Sequence, residues 1–229
     1  MINLLKIEWL KIKNYTAFIV MTLFFIVGVF ALNYIVFTVN KNIVNNVPGA
    51  GLVSFSPYDF ANTWQSTSYA TGFILLLPAL LLLMLFTNEY TFKTHRQNII
   101  DGLSRQQFIS VKIMMALIFA MAATLLVIIS ALIFGFGSGT AFSLNGFIFV
   151  GYFFLKALSY NLIAILFSVL VKRTGFAIGI FFIYLGSENI VSQLLNVLSM
   201  KLKRENGTDL GNIGDYLPMN AADGLLEFP

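Results

Sequence analysis

Five apolar stretches dominate this chain, at approximately Thr16–Val39, Ser68–Thr87, Ile113–Phe136, Asn145–Val171 and Gly175–Leu198. Each is long enough to cross about 30 Å of hydrocarbon, which takes about 20 helical residues. A chain so divided cannot gather its apolar residues into one soluble core. Only 10% of its residues are charged and 58% are hydrophobic, against about 25% charged in an ordinary soluble domain. Lipid is therefore the solvent for most of it. Backbone groups in lipid must be paired within a helix or around a closed barrel, and these runs lack the alternation of barrel strands, so all five are predicted to be helices. The first run is too long for a signal-peptide core and no small-residue cleavage site follows it, which makes it a retained span. Pro78 lies inside the second run and is predicted to kink it. The expectation is an all-α integral membrane protein, with a single transmembrane domain over residues 1–229.

Orientation follows from the basic residues. With the N-terminus inside, Lys6, Lys11, Lys13, Lys93, Arg96, Arg105, Lys112, Lys172 and Arg173 are cytoplasmic, and only Lys41, Lys201, Lys203 and Arg204 lie opposite. That asymmetry predicts a cytoplasmic N-terminus in a multi-pass protein of the inner (cytoplasmic) membrane. Residues 1–15 carry Ile2, Leu5, Trp9 and Ile12 at helical spacing between lysines. They read as an interfacial helix, or as a basic anchor that only sets orientation. The opposite-side segment Asn40–Thr67 is rich in turn residues, and Phe55, Tyr58, Phe60 and Trp64 are expected to form an outer aromatic belt. Gly135–Thr140 is expected to be a flexible connector without a phosphate-loop lysine. Gly175 and Gly179 form a small-xxx-small pair that permits close helix approach. Residues 199–229 form an extracytoplasmic tail.

Between the second and third runs, residues 88–112 break the apolar pattern with a polar, basic, helix-prone insert. On a helix, Phe92, Arg96, Ile99 and Leu103 share one side, and Lys93, Gln97 and Asp101 the other. Gly102 suits a helix stop, and Ser104 with Gln107 reads as a capping box opening the next helix. Such a segment can transmit force between spans, or it can be an ordered hairpin that only sets topology.

Catalytic chemistry is scarce. The chain has no cysteine, its only histidine is His95, and no GxxxxGK[ST] motif occurs. No His-based triad, HExxH zinc site or P-loop is present, so neither catalysis nor ATP binding is expected of this chain, and no cofactor or metal site either. Lys156 and Glu188 lie inside predicted spans, where charge is costly. Both fall about 22–24 Å from the Lys172–Arg173 turn at 1.5 Å per residue, so they are expected at similar depth as an intramembrane ion pair. That pair is either functional or structural, or else Lys156 snorkels outward beside Tyr152.

The residues Asn88-Glu89-Tyr90, Thr94 to Arg105, and Lys112 resemble the permease subunits of exporter-type (type 2) ABC transporters. Glu89, Thr94, Arg96, Ser104, Arg105 and Lys112 match the family's acid closing the second span, its Thr-x-Arg and Ser-Arg elements and the lysine opening its third span. Leu4–Lys13, with Glu8 and Lys11, resembles its N-terminal interfacial helix. The resemblance implies that residues 90–103 are a coupling helix docked on a separate cytoplasmic ATP-binding subunit, which would hold ATP and Mg. It implies a second permease copy, in a homodimer or heterodimer, with the translocation path between them in the lipid bilayer. No nucleic-acid partner is expected. Six spans are usual in the family, so the chain is expected to stop before a sixth. Two other readings of the residues stand beside this one. One is a non-transporting scaffold or self-protection protein that docks a cytoplasmic partner, and the other is a secondary transporter using Lys156 and Glu188.

Overall fold

The computed structural model describes residues 2–46, 58–100, 102, 104–207 and 210–228, and no strand occurs among them. Nine α-helices are described: α1 (Ile2–Ile12), α2 (Thr16–Asn46), α3 (Phe60–Gly72), α4 (Leu76–Thr91), α5 (Thr94–Ile100), α6 (Arg105–Gly137), α7 (Ile148–Val171), α8 (Thr174–Asn206) and α9 (Pro218–Asp223). A short 3-10 turn, Ile213–Tyr216, precedes α9. Helices α2, α6, α7 and α8 are long and apolar enough to cross a membrane, and α3 with α4 make a fifth if taken as one span bent by 45°.

That bend corrects the expected second span. The chain breaks at Phe73–Leu75, and Pro78 is the third residue of α4. A first-turn residue has no intrahelical acceptor for its amide, so proline costs little there. The span also starts earlier than Ser68, because Phe60–Thr67, expected in a turn-rich segment, are helical. Two threonines in the polar sequence of α3 are buried with their hydroxyls satisfied by local carbonyls. The Thr63 hydroxyl donates to Asp59 O at 2.9 Å, and that of Thr67 to Thr63 O at 2.7 Å. Helix α2 runs on to Asn46, and residues 47–57, including Phe55, lie outside the described residues.

The expected aromatic belt is turned inward. Tyr58, Phe60 and Trp64 are all buried. Trp64 Nε1 donates to Ser143 O at 2.9 Å, and the Tyr58 hydroxyl lies 3.2 Å from Asn33 Oδ1. Gly135–Thr140 has fixed contacts: Phe60 N donates to Thr140 Oγ1 at 3.0 Å, and the Phe60 ring lies against Gly135.

Small side chains set the central contact, between α6 and α7. Ala116, Ala120, Ala123, Val127 and Ala131 form a buried stripe on α6, which packs with Val150, Phe153 and Ala157 of α7. In lipid, close backbone approach replaces the hydrophobic drive that water would supply. Asn161 Nδ2 crosses the seam to Ala116 O at 3.1 Å. By contrast, Gly175 and Gly179 on α8 have nothing within 4 Å of a Cβ built on them, so the chain does not use that pair internally.

Beyond α8 the chain folds back, whereas a tail was expected. Asn196 Oδ1 accepts from Gly214 N at 2.8 Å, Leu226 is buried in the cluster containing Phe25, Val29 and Phe153, and Gln65 Nε2 donates to Glu227 O at 3.0 Å. Helix α8 is 33 residues long, extending past the expected end at Leu198, and provides the rail for this return.

Candidate functional site

A corner between the end of α4 and α5 divides the insert, where one helix over 90–103 was expected. Helix α4 continues through Glu89 to Thr91, Lys93 takes a left-handed conformation (φ 58°), and α5 spans Thr94–Ile100. Gly102, also at positive φ (98°), leads to Ser104. There the expected capping box is present: Gln107 N donates to Ser104 Oγ at 3.2 Å, and Ser104 N to Gln107 Oε1 at 3.0 Å. Helix α6 therefore starts at Arg105, and Lys112 lies on its third turn.

Lys112 is buried, at 3% exposure, among acids from two other helices. Its Nζ donates to Glu89 Oε1 at 2.6 Å and to Glu8 Oε2 at 3.1 Å. Lys11 closes the group from α1, 2.9 Å from Glu8 Oε1 and 3.7 Å from Glu89 Oε1. The rings of Phe86 and Phe108 lie 4.4 and 4.9 Å from the Lys112 ammonium. Two acids and two bases make the cluster neutral, which is what permits burial at this depth. Burial raises the Glu8 pKa, but the charges of Lys112 and Lys11 outweigh it and hold the carboxyl below its usual value of 4.5.

A ring of neutral hydrogen bonds extends the joint. Asn88 Nδ2 donates to the Tyr15 hydroxyl at 2.9 Å, the Thr174 hydroxyl to Asn88 Oδ1 at 3.3 Å, and the Thr87 hydroxyl to Thr174 Oγ1 at 2.9 Å. The end of α4 is thereby tied to α1, α6, the start of α2 and the start of α8. A cleft of about 210 Å³ beside the cluster is lined by Glu8, Lys11, Tyr15, Asn88, Glu89 and Thr94.

The six candidate coupling residues divide accordingly. Glu89 and Lys112 meet directly. Thr94 touches the same joint, its hydroxyl donating to Glu89 O at 3.3 Å, and His95 Nδ1 lies 3.2 Å from that oxygen. Ser104 caps α6, and Arg105 is exposed beside it. Arg96 lies on α5, with its side chain outside the described residues. The partners absent from that set are Glu8 and Lys11. Glu8 is the only acid before Asp59 and sits on a basic helix, a signal that points to a buried counter-charge. It also changes the inward face of α1. Leu5, Glu8 and Ile12 turn to the protein, and Trp9 is 53% exposed.

The expected Lys156–Glu188 pair is replaced by two separate contacts with the returning chain. Lys156 Nζ is 3.1 Å from Asp223 Oδ1, which also accepts from the Tyr160 hydroxyl at 3.0 Å. Glu188 Oε1 accepts from Met219 N at 2.5 Å and Asn220 N at 3.0 Å. Each charge finds its complement on α9, which lies against both α7 and α8. A cavity of about 340 Å³ adjoins Lys156, Tyr160, Gly72 and Tyr69. Among the described residues no group of histidines and acids could hold a metal ion.

A bundle with four or five membrane-length helices, tied at one end by a buried charge cluster, defines a multi-pass membrane protein. Residues 4–187 match the family model described as ABC-2 family transporter protein, and the chain belongs to that family. It is thus a membrane transport permease. No curated protein and no solved structure matches the chain.

Proposed function

We propose that this chain is the membrane-spanning permease subunit of an ATP-driven exporter, working as one of two permease copies on a pair of separate ATP-binding subunits in the inner (cytoplasmic) membrane. The observation that carries the reading is the Glu8–Lys112–Glu89–Lys11 cluster directly above the α4–α5 corner. A push on α5 reaches Glu89 through the Thr94 and His95 contacts with its carbonyl. From Glu89 it passes through the Lys112 ammonium to α6 and, through Glu8, to α1. Side-chain links of 2.6–3.1 Å in a buried site leave little slack, so α5 and the span of α6 move together. Helix α5 and its flanks, residues 90–103, are the coupling segment, and α1 is the interfacial helix that takes up the motion. Five spans result when α3 and α4 count as one.

Charge on α5 decides docking in this scheme. Arg96→Glu is expected to leave membrane insertion intact and to reduce capture of a co-expressed neighbouring P-loop ATPase at least tenfold in detergent. Undiminished capture would remove the coupling role of α5.

A further inference from the structure

A second hollow lies on the lipid side of the same end of the bundle. It has a volume of about 210 Å³ and lies among α1, α2, α4 and α6, with Trp9, Phe18, Phe25, Pro78, Phe119 and Leu126 in its wall. Thr22 supplies the single hydroxyl there. Trp9, Ile118 and Ala122 are exposed along it, so the slot is open to the surroundings of the bundle. Trp9 stands edge-on to Phe18 at 6.0 Å, and Phe18 to Phe119 at 6.1 Å, giving the mouth a rigid aromatic side.

The charge around that mouth is one-sided. Lys6 falls one turn before Trp9 on α1, and Lys13, the first residue past the helix end, follows one turn after it, its amide donating to Trp9 O at 2.9 Å. Both are exposed, and neither makes an ion pair among the described residues. Lys11, only two residues from Lys13, is turned to the opposite face and held by Glu8. A narrow apolar slot below two unpartnered cations, with an indole between them, fits a molecule with an acyl chain and an anionic head. We infer that this slot is a binding site for an anionic phospholipid of the adjoining leaflet, with one acyl chain between α2 and α6 and the phosphate at Lys6 and Lys13. Bound there, the lipid holds α1 at its distance from α6, the two helices that the Lys112 cluster joins.

Trp9 reports on its own site. Full-length protein in detergent would be titrated with phosphatidylglycerol and phosphatidylcholine carrying brominated acyl chains, and Trp9→Phe protein subtracted to remove the Trp64 signal. Trp9 quenching is expected to favour phosphatidylglycerol by about fivefold for each lysine, since a lysine near an anionic head contributes that much. Lys6→Gln with Lys13→Gln should abolish the preference, and Ala122→Phe, at an exposed position in the slot, should abolish the quenching itself. Equal quenching by the two lipids, or a preference that survives loss of both lysines, would identify an annular lipid only and overturn the assignment. The readout involves no ATPase, so it is independent of whether α5 docks one.

Discussion

Lys112 and Glu89 are 23 positions apart, yet Nζ and Oε1 lie 2.6 Å from each other inside the junction of α4 and α6. The bond spans the whole α5 corner, so the corner cannot open without separating two buried charges. Separation of that kind is expensive, and among the described residues Lys11 and Glu8 are the other charges paired in the cluster.

Lys112→Met leaves Glu8 and Glu89 with the partly exposed Lys11 as their remaining ion-pair partner among the described residues. Thermal melting of the detergent-solubilised protein is expected to fall by the equivalent of about 3–5 kcal/mol. Adding Glu89→Gln to Lys112→Met should restore part of the loss, because one uncompensated charge is removed. Additive losses in the double variant would mean that the two residues do not act as a pair.

The Glu8 carboxyl also sets a pH window. Its folded-state pKa lies below the unfolded 4.5, so its contribution is complete above about pH 4.5 and disappears as pH falls through the lower folded value. The melting temperature of wild-type protein should therefore drop more steeply than that of Glu8→Gln below pH 4.5, with parallel curves between pH 6 and 8. Parallel curves throughout would place Glu8 outside the cluster.

Ser104→Ala removes one half of a reciprocal cap and is expected to cost about 1 kcal/mol. Amide exchange should quicken at Gln107, whose N–H loses its acceptor, and stay unchanged in the middle of α6. Uniform exchange in the two proteins would show that the cap does not hold the helix start.

A Cβ at Gly135 would sit 2.8 Å from two atoms of the Phe60 ring. Gly135→Ala should destabilise the α3–α6 contact by about 1–3 kcal/mol, and Phe60→Leu in the same protein should recover most of it. Failure of that rescue would place the strain elsewhere.

The returning chain is held by two charges, and the absence of cysteine makes its release easy to follow. Ala222 is buried beside Asp223. In an Ala222→Cys protein, labelling by a maleimide should accelerate at least tenfold when Asp223→Asn or Glu188→Gln is added. An unchanged rate would mean that apolar packing around Leu226 holds the segment alone.

Hydropathy suffices to locate α2, α6, α7 and most of α8, because transfer to lipid is a sum over neighbouring residues and needs no knowledge of the fold. The Ser104–Gln107 box was equally plain, since a cap acts over three residues. The resemblance over Glu89 to Lys112 rests on residue types in order, which say nothing of who pairs with whom. Helix α3 escaped detection because its hydroxyls look solvated in sequence, whereas those of Thr63 and Thr67 are buried and donate to carbonyls one turn back. Likewise Glu188 and Lys156 have the depth of partners, but α9 comes between them and gives each a better-placed complement. Ion pairs are chosen by distances of a few ångströms between segments up to 104 residues apart, as for Glu8 and Lys112. Local composition contains no term for such distances; packing of the helices supplies it.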